Sequence, residues 1–290
     1  MDRTPYTLTR PARLAGPVVV ASPHSGRDYG WAFPTATVLD KRLIRSSEDA
    51  YVDRLLAGVP GLGVPLLAAR VPRAFVDLNR AEGELDPALV QDVPRGGSNP
   101  RVSSGLGVIP RVVAQGRSIY RGKISRAEAR ARIDEVWRPY HARLTALLDE
   151  AAARFGSAVL LDLHSMPHEA IEGAAPRGDV PEVVIGDRFG ASASADLVDA
   201  VEAVIVDLGL RVTRNTPFAG AYVTQAYGRP ERGRHAVQIE IDRALYMDEA
   251  TLEPNDRFEE VGALMTEMVA RIRDAVAARG GGSERAVAAE

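Results

Sequence analysis

Two short apolar runs in this chain each stop at a histidine: Val18-Val19-Val20-Ala21-Ser22-Pro23-His24-Ser25-Gly26 and Ala158-Val159-Leu160-Leu161-Asp162-Leu163-His164-Ser165. Runs of this length, β-branched or leucine-rich and closed by small and polar residues, read as buried strands of a parallel sheet. Strand patterns of this kind alternate with helical periods along the chain, which favours an α/β sandwich over an all-α or all-β fold. In open α/β sheets ligands collect beyond the carboxyl ends of the strands. Two of only five histidines therefore fall on the rim where such a fold keeps its chemistry.

The first strand is read at Pro17–Ser22. A helix is expected near 47–57, with Ser46 or Ser47 as cap and Val52, Leu55 and Leu56 facing inward. Short strands are expected at 64–67 and 74–78, followed by a long loop over 81–120 rich in Gly, Pro, Arg and Ser. Ser125-Arg126-Ala127-Glu128 is a capping-box pattern. It opens a helix whose buried positions run from Ile133 to Leu148, with Pro139 predicting a kink. A helix over 194–208 ends at Gly209, a strand covers His235–Ile241, and a last helix covers 255–277. No repeat or linker interrupts the sequence, so one domain over 1–278 is expected, with the glycine-rich 279–290 as a disordered tail.

The charge balance, 36 basic against 39 acidic residues, has no polybasic bias, which excludes nucleic acid or an anionic membrane as the main partner. No apolar stretch approaches the roughly 20 residues needed to span a bilayer. The amino terminus lacks a secretory signal, so a cytoplasmic location is expected. Cysteine is absent. Any metal must then be held by histidine nitrogen and carboxylate oxygen.

His24 by itself fits a turn histidine bonded to backbone more readily than it fits a ligand. His164 has better support, because strand alternation points Asp162 and His164 to one side and Val159, Leu161 and Leu163 to the other. An acid beside a strand-end histidine suits a metal ligand with its orienting partner, or else a buried Asp–His pair. A hydrolytic zinc site takes three protein ligands, and the third here would be a carboxylate. Glu48 and Asp49 are candidates, with Asp28 as a loop alternative, although acids at a helix start are favoured by the dipole alone. In His235–Ile241 the alternation sets Gln238 and Glu240 against Val237, Ile239 and Ile241. A carboxylate in an apolar strand is costly unless functional or paired, so Glu240 is either a general base or the partner of Arg243 or Arg234. Arg80, Arg101 and Arg111 are candidate clamps for an anionic group. Ser25 and Ser165 flank histidines, but no Gly-x-Ser-x-Gly elbow supports a serine hydrolase.

Read together, the segments resemble the N-formylglutamate amidohydrolase (deformylase) family. The resemblance is carried, in order over about residues 15–270, by Ser22–Gly26, Asp49 with Val52–Leu55, Val76–Arg80, Gly105–Ile109, Pro139–His141, Asp162–Pro167, Ile185–Asp187, Asn215–Gly220, Gln238–Ile241 and Tyr246-Met247. It implies a phosphorylase/hydrolase-like three-layer α/β/α sandwich with a mixed, mostly parallel sheet, akin to zinc carboxypeptidases. It implies one divalent metal, zinc, held by His24, Asp49 and His164, with Asp49 matching the acidic position better than Glu48. Glu240 matches the position that activates water, and Asn79 with Arg80 the pair that positions a substrate carboxylate and polarises its carbonyl. Arg101 joins the substrate-binding set, and Asn215 and Gly220 shape the loop over the site. The expected substrate is a small anionic N-acyl amino acid, most simply N-formyl-L-glutamate in histidine breakdown; oligomeric state is not set by the sequence. One departure bears on the substrate: Ala50 follows Asp49 where members often carry an aromatic residue, which opens the pocket to other acyl groups. A peptidase or deacylase of a larger compound, or a non-catalytic binder of anionic metabolites, are the rival readings.

Overall fold

The computed structural model of the chain describes residues 4–33, 37–94, 99–172 and 180–287. Seven strands form one mixed sheet in the order β1-β3-β2-β4-β7-β5-β6. They are β1 (Tyr6–Thr9), β2 (Val18–Ser22), β3 (Leu66–Ala69), β4 (Ala158–Met166), β5 (Val183–Gly186), β6 (Val212–Arg214) and β7 (Arg234–Asp242). β4 runs parallel to both β2 and β7, while β5 runs antiparallel to β7. All nine residues of β4 are buried. That is the environment its near-continuous apolar run requires, and burial of each such side chain stabilises by about 1.5–3 kcal/mol. The register pairs Asp162 with Gln238 and His164 with Glu240 across β4 and β7. Side chains alternate along strands, so these four polar groups share one face, towards the carboxyl ends.

The chain groups into two compact units. One comprises 1–7, 23–50 and 68–143; the other comprises 8–22, 51–67 and 144–290. The second holds most of the sheet, with helix Ala195–Asp207 packed on the final helix, Phe258–Val287. Gly209, at φ +83°, ends the first of these as its position predicts. The final helix runs on through the glycines where the sequence suggested a disordered tail, and residues 288–290 of that segment lie outside the described residues.

Several local expectations change. Residues 74–78 form no strand: the amides of Phe75 and Val76 donate to the Pro72 carbonyl at 2.9 and 3.4 Å, making a turn. A short apolar run fits a buried turn as well as a strand, and periodicity does not separate them. The helix expected over 47–57 is reduced to Val52–Leu55, preceded by a 3₁₀ turn at Leu43–Ser47. Between them Glu48 is extended and Tyr51 is left-handed at φ 65°. The Asp49 amide is drawn out of helical bonding because it donates to the His24 carbonyl at 3.1 Å.

Among the described residues the long loop includes a short helix, Pro100–Ser103, capped by Asn99, and a 3₁₀ turn at Ala114–Gly116; residues 95–98 of it lie outside the described residues. The capping box works as read, with the Ser125 hydroxyl accepting the Glu128 amide at 3.0 Å. The irregularity predicted at Pro139 takes the form of a π turn over Ile133–Trp137, directly ahead of helix Arg138–Phe155. A wider turn there accommodates a proline that has no N–H to give and whose ring crowds the preceding turn.

Candidate metal centre

In the first unit, the turn after β2 carries His24 past the end of its strand. Gly26 permits this path: a Cβ at that position would stand 2.2 Å from the Val71 carbonyl oxygen. His24 is buried, with Nε2 2.8 Å from Asp77 Oδ1 and Nδ1 3.4 Å from Asp49 Oδ2. A carboxylate accepting from Nε2–H fixes the tautomer and leaves the Nδ1 lone pair for a metal. Burial alone would raise the Asp77 carboxyl, but His24, Arg73 and Arg80 hold it well below the usual carboxylate range.

The segment Asp77–Arg80 is braced by the helix that follows. Trp137 in the π turn donates Nε1–H to the Arg80 carbonyl at 2.8 Å, and His141 Nε2 lies 3.0 Å from the Leu78 carbonyl. That carbonyl can only accept, so His141 is a neutral Nε2–H donor. Burial pushes its pKa down from 6.5 to about 3, with the Leu78 bond opposing. Arg80 is itself tethered, donating Nε–H to the Leu106 carbonyl at 3.0 Å and Nη1–H to the Asn79 carbonyl at 2.8 Å. Burial lowers its pKa, and Arg73 and Arg101 push the same way against Asp77 and Glu84. A guanidinium pinned at two nitrogens presents its remaining edge in a fixed direction, as recognition of a carboxylate requires.

In the second unit, His164 Nε2 lies 2.9 Å from Asp162 Oδ2, which repeats the carboxylate-to-imidazole arrangement of His24. Beside it on β7, Gln238 Nε2 donates to Glu240 Oε1 at 2.9 Å. All four of these side chains are buried, Glu240 at 8% exposure. Helix Tyr222–Tyr227 packs against both strands. Of the two arginines considered for Glu240, Arg234 pairs with Asp149 at 2.6 Å and Arg243 donates to the Ser165 hydroxyl and carbonyl, each at 3.2 Å.

Among the described residues, His24, Asp49 and His164 each offer one ligand atom, and these atoms lie within 4.8 Å of one another. Glu48 turns elsewhere, to Arg45 at 3.1 Å and to Tyr29, and burial raises its carboxyl. Asp28 pairs with Arg70 at 3.2 Å. Arg101 stands exposed on its short helix, and Arg111 donates to Asp86 at 2.8 Å. Asn215 is committed to its own loop: Oδ1 accepts the amides of Asp187 and Phe189, and Nδ2 donates to Asp187 Oδ1 at 2.6 Å. Gly220 sits at φ +98°, where a Cβ would lie 2.5 Å from Thr224 Oγ1.

Four residues of this neighbourhood escaped the sequence reading in their roles: Asp77 as the partner of His24, Arg73 beside it, and Trp137 and His141 as the brace. The only local signal was the acid Asp77 inside the apolar Val76-Asp77-Leu78 run, which is the reasoning that singled out Glu240.

A mixed α/β sheet, together with the buried residues His24, Asp49 and His164, defines an α/β protein with a candidate metal-ligand group. Within that class the chain belongs to the N-formylglutamate amidohydrolase family, whose sequence model matches residues 16–247. It is 33% identical over 240 residues to an N-formylglutamate deformylase of Pseudomonas aeruginosa, covering 80% of this chain and 83% of that relative. An N-formylglutamate deformylase of Pseudomonas putida is 28% identical over 239 residues, covering 80% and 82%. The crystal structure of N-formylglutamate amidohydrolase from Ralstonia eutropha JMP134 superposes with a TM-score of 0.85 at 36% identity, covering 94% of this chain and 98% of that one.

Proposed function

We propose that this chain is a metal-dependent amidohydrolase that converts N-formyl-L-glutamate to formate and L-glutamate, in cytoplasmic histidine breakdown. The observation that carries the reading is the buried His24–Asp49–His164 group in a member of this family. The donor set fits a divalent ion such as zinc: two imidazoles, each with Nε2 turned to a carboxylate, and one carboxylate oxygen. When bound, such an ion supplies Lewis acidity, polarising the amide carbonyl and lowering the pKa of water beside it.

The protein's own groups supply the rest. Glu240 takes a proton from the attacking water as the C–O bond forms, and returns it to the amine nitrogen as the C–N bond breaks. The bond from Gln238 Nε2 to Oε1 holds the carboxylate in place for that transfer. The fixed guanidinium of Arg80 receives a substrate carboxylate, with Asn79 and Arg101 as the further residues assigned to substrate binding. Asn215 and Gly220 act on substrate through the loop they shape.

Ala50 is small and buried beside Asp49, so a panel tests whether acyl groups larger than formyl are accepted. N-Formylglutamate, N-formylaspartate, N-acetylglutamate and short acyl peptides are compared with and without a chelator. The expected result is highest kcat/KM for N-formylglutamate, abolished by chelation. Turnover confined to acyl peptides would refute the assignment in favour of a peptidase, and binding without turnover would refute it in favour of a metabolite binder.

A further inference from the structure

Four side chains of the first unit form a closed ring. His24 Nε2 meets Asp77 Oδ1 at 2.8 Å, and Arg73 Nη2 donates to Asp77 Oδ2 at 3.0 Å. Arg73 Nη1 lies 3.5 Å from Asp49 Oδ1, and Asp49 Oδ2 lies 3.4 Å from His24 Nδ1. The turn begun at Pro72 sets Arg73 and Asp77, four residues apart, on one side. Asp77 and Asp49 are both buried, and Arg73 retains only 24% of its side-chain exposure.

We infer that Arg73 is a positioning residue that fixes two of the three metal ligands before an ion arrives. This rests on the metal-dependent reading given above. A guanidinium is a planar fork, and one that spans two carboxylates sets their relative orientation as well as offsetting their repulsion. Through Asp49 it sets the direction of a ligand oxygen. Through Asp77 it sets the ring plane of His24, because an imidazole hydrogen-bonded at Nε2 can turn only with its partner. Asp77 has a further tether, the Asn79 amide at 2.8 Å, so that end of the fork is anchored to backbone. The Asp49 carboxylate is the end that Arg73 is best placed to steer.

Two effects compete when Arg73 is removed. A cation leaves the neighbourhood of a would-be metal, which favours binding, and the two carboxylates lose a fixed separation, which opposes it. Loss of an outer partner to a metal ligand typically weakens affinity about 10–100-fold, so the loss of order is expected to dominate. Lysine keeps the charge but, as a point donor, engages one carboxylate at a time.

The test is zinc affinity of the full chain, by competition with a chromophoric chelator, for the unsubstituted protein, Arg73→Gln and Arg73→Lys. Melting of each metal-free protein is recorded alongside. Arg73→Gln is expected to bind zinc about 10–100-fold more weakly, and Arg73→Lys to fall between it and the unsubstituted protein. If Arg73→Gln does not fold, Arg73→Lys decides: weaker zinc binding with unchanged metal-free melting supports the role. Equal or tighter zinc affinity in a folded variant overturns the role of Arg73 and leaves the metal reading standing. An unsubstituted protein that binds no zinc overturns both.

Discussion

Lowering the pH from about 7 to about 5 destabilises this protein through His141. The ring is buried and its pKa falls from 6.5 to about 3, chiefly because burial penalises the charged form. The unfolded chain takes up a proton near pH 6.5, whereas the folded chain resists until near pH 3. Protons therefore favour the unfolded state throughout that window. The stability at stake is fully present above pH 6.5 and drains away as the pH falls. At pH 5, linkage to a group shifted from 6.5 to 3 removes about 2 kcal/mol.

Other groups titrate in the same range, so the control is His141→Gln. Its amide donates to the Leu78 carbonyl and takes no proton. Urea unfolding at both pH values, for both proteins, isolates the term. The loss of stability between the two pH values is expected to be about 2 kcal/mol smaller in the variant. An identical loss in both would refute the argument that a buried neutral His141 braces the Asp77–Arg80 segment.

Two further outcomes follow from the site and its loops. Glu240→Gln is expected to retain bound zinc while kcat falls by about 10²–10⁴-fold, the usual contribution of a general base; near-normal turnover would remove Glu240 from that role. Gly220→Ala is expected to cost about 1–3 kcal/mol in urea unfolding, because alanine meets both the positive φ and the Thr224 hydroxyl. A neutral effect would mean the loop relaxes freely.

The strands and the polar faces of β4 and β7 were legible because alternation is a local property, visible in Asp162, His164, Gln238 and Glu240. The long helices were legible for the same reason, down to the Ser125 cap. The surroundings of His24 were not. Its partners lie 25 and 53 positions away at Asp49 and Asp77, and no periodicity reports a contact at that distance. The segment 47–57 misled because its amphipathic spacing suits a helix. The chain there is instead drawn to the His24 carbonyl through the Asp49 amide. Choosing Asp49 over Glu48 on sequence needed the family resemblance; in the structure the neighbours separate them, since Glu48 is claimed by Arg45 and Tyr29.

The central claim is that His24, Asp49 and His164 hold a divalent ion on which amide hydrolysis depends. The most direct test measures metal content and N-formylglutamate turnover on one sample as purified, after exhaustive chelation, and during stepwise return of zinc. The account predicts that turnover vanishes with the metal and returns in proportion to zinc, reaching its plateau near one equivalent. His164→Ala should show neither binding nor turnover. Full turnover by the metal-free protein would contradict it.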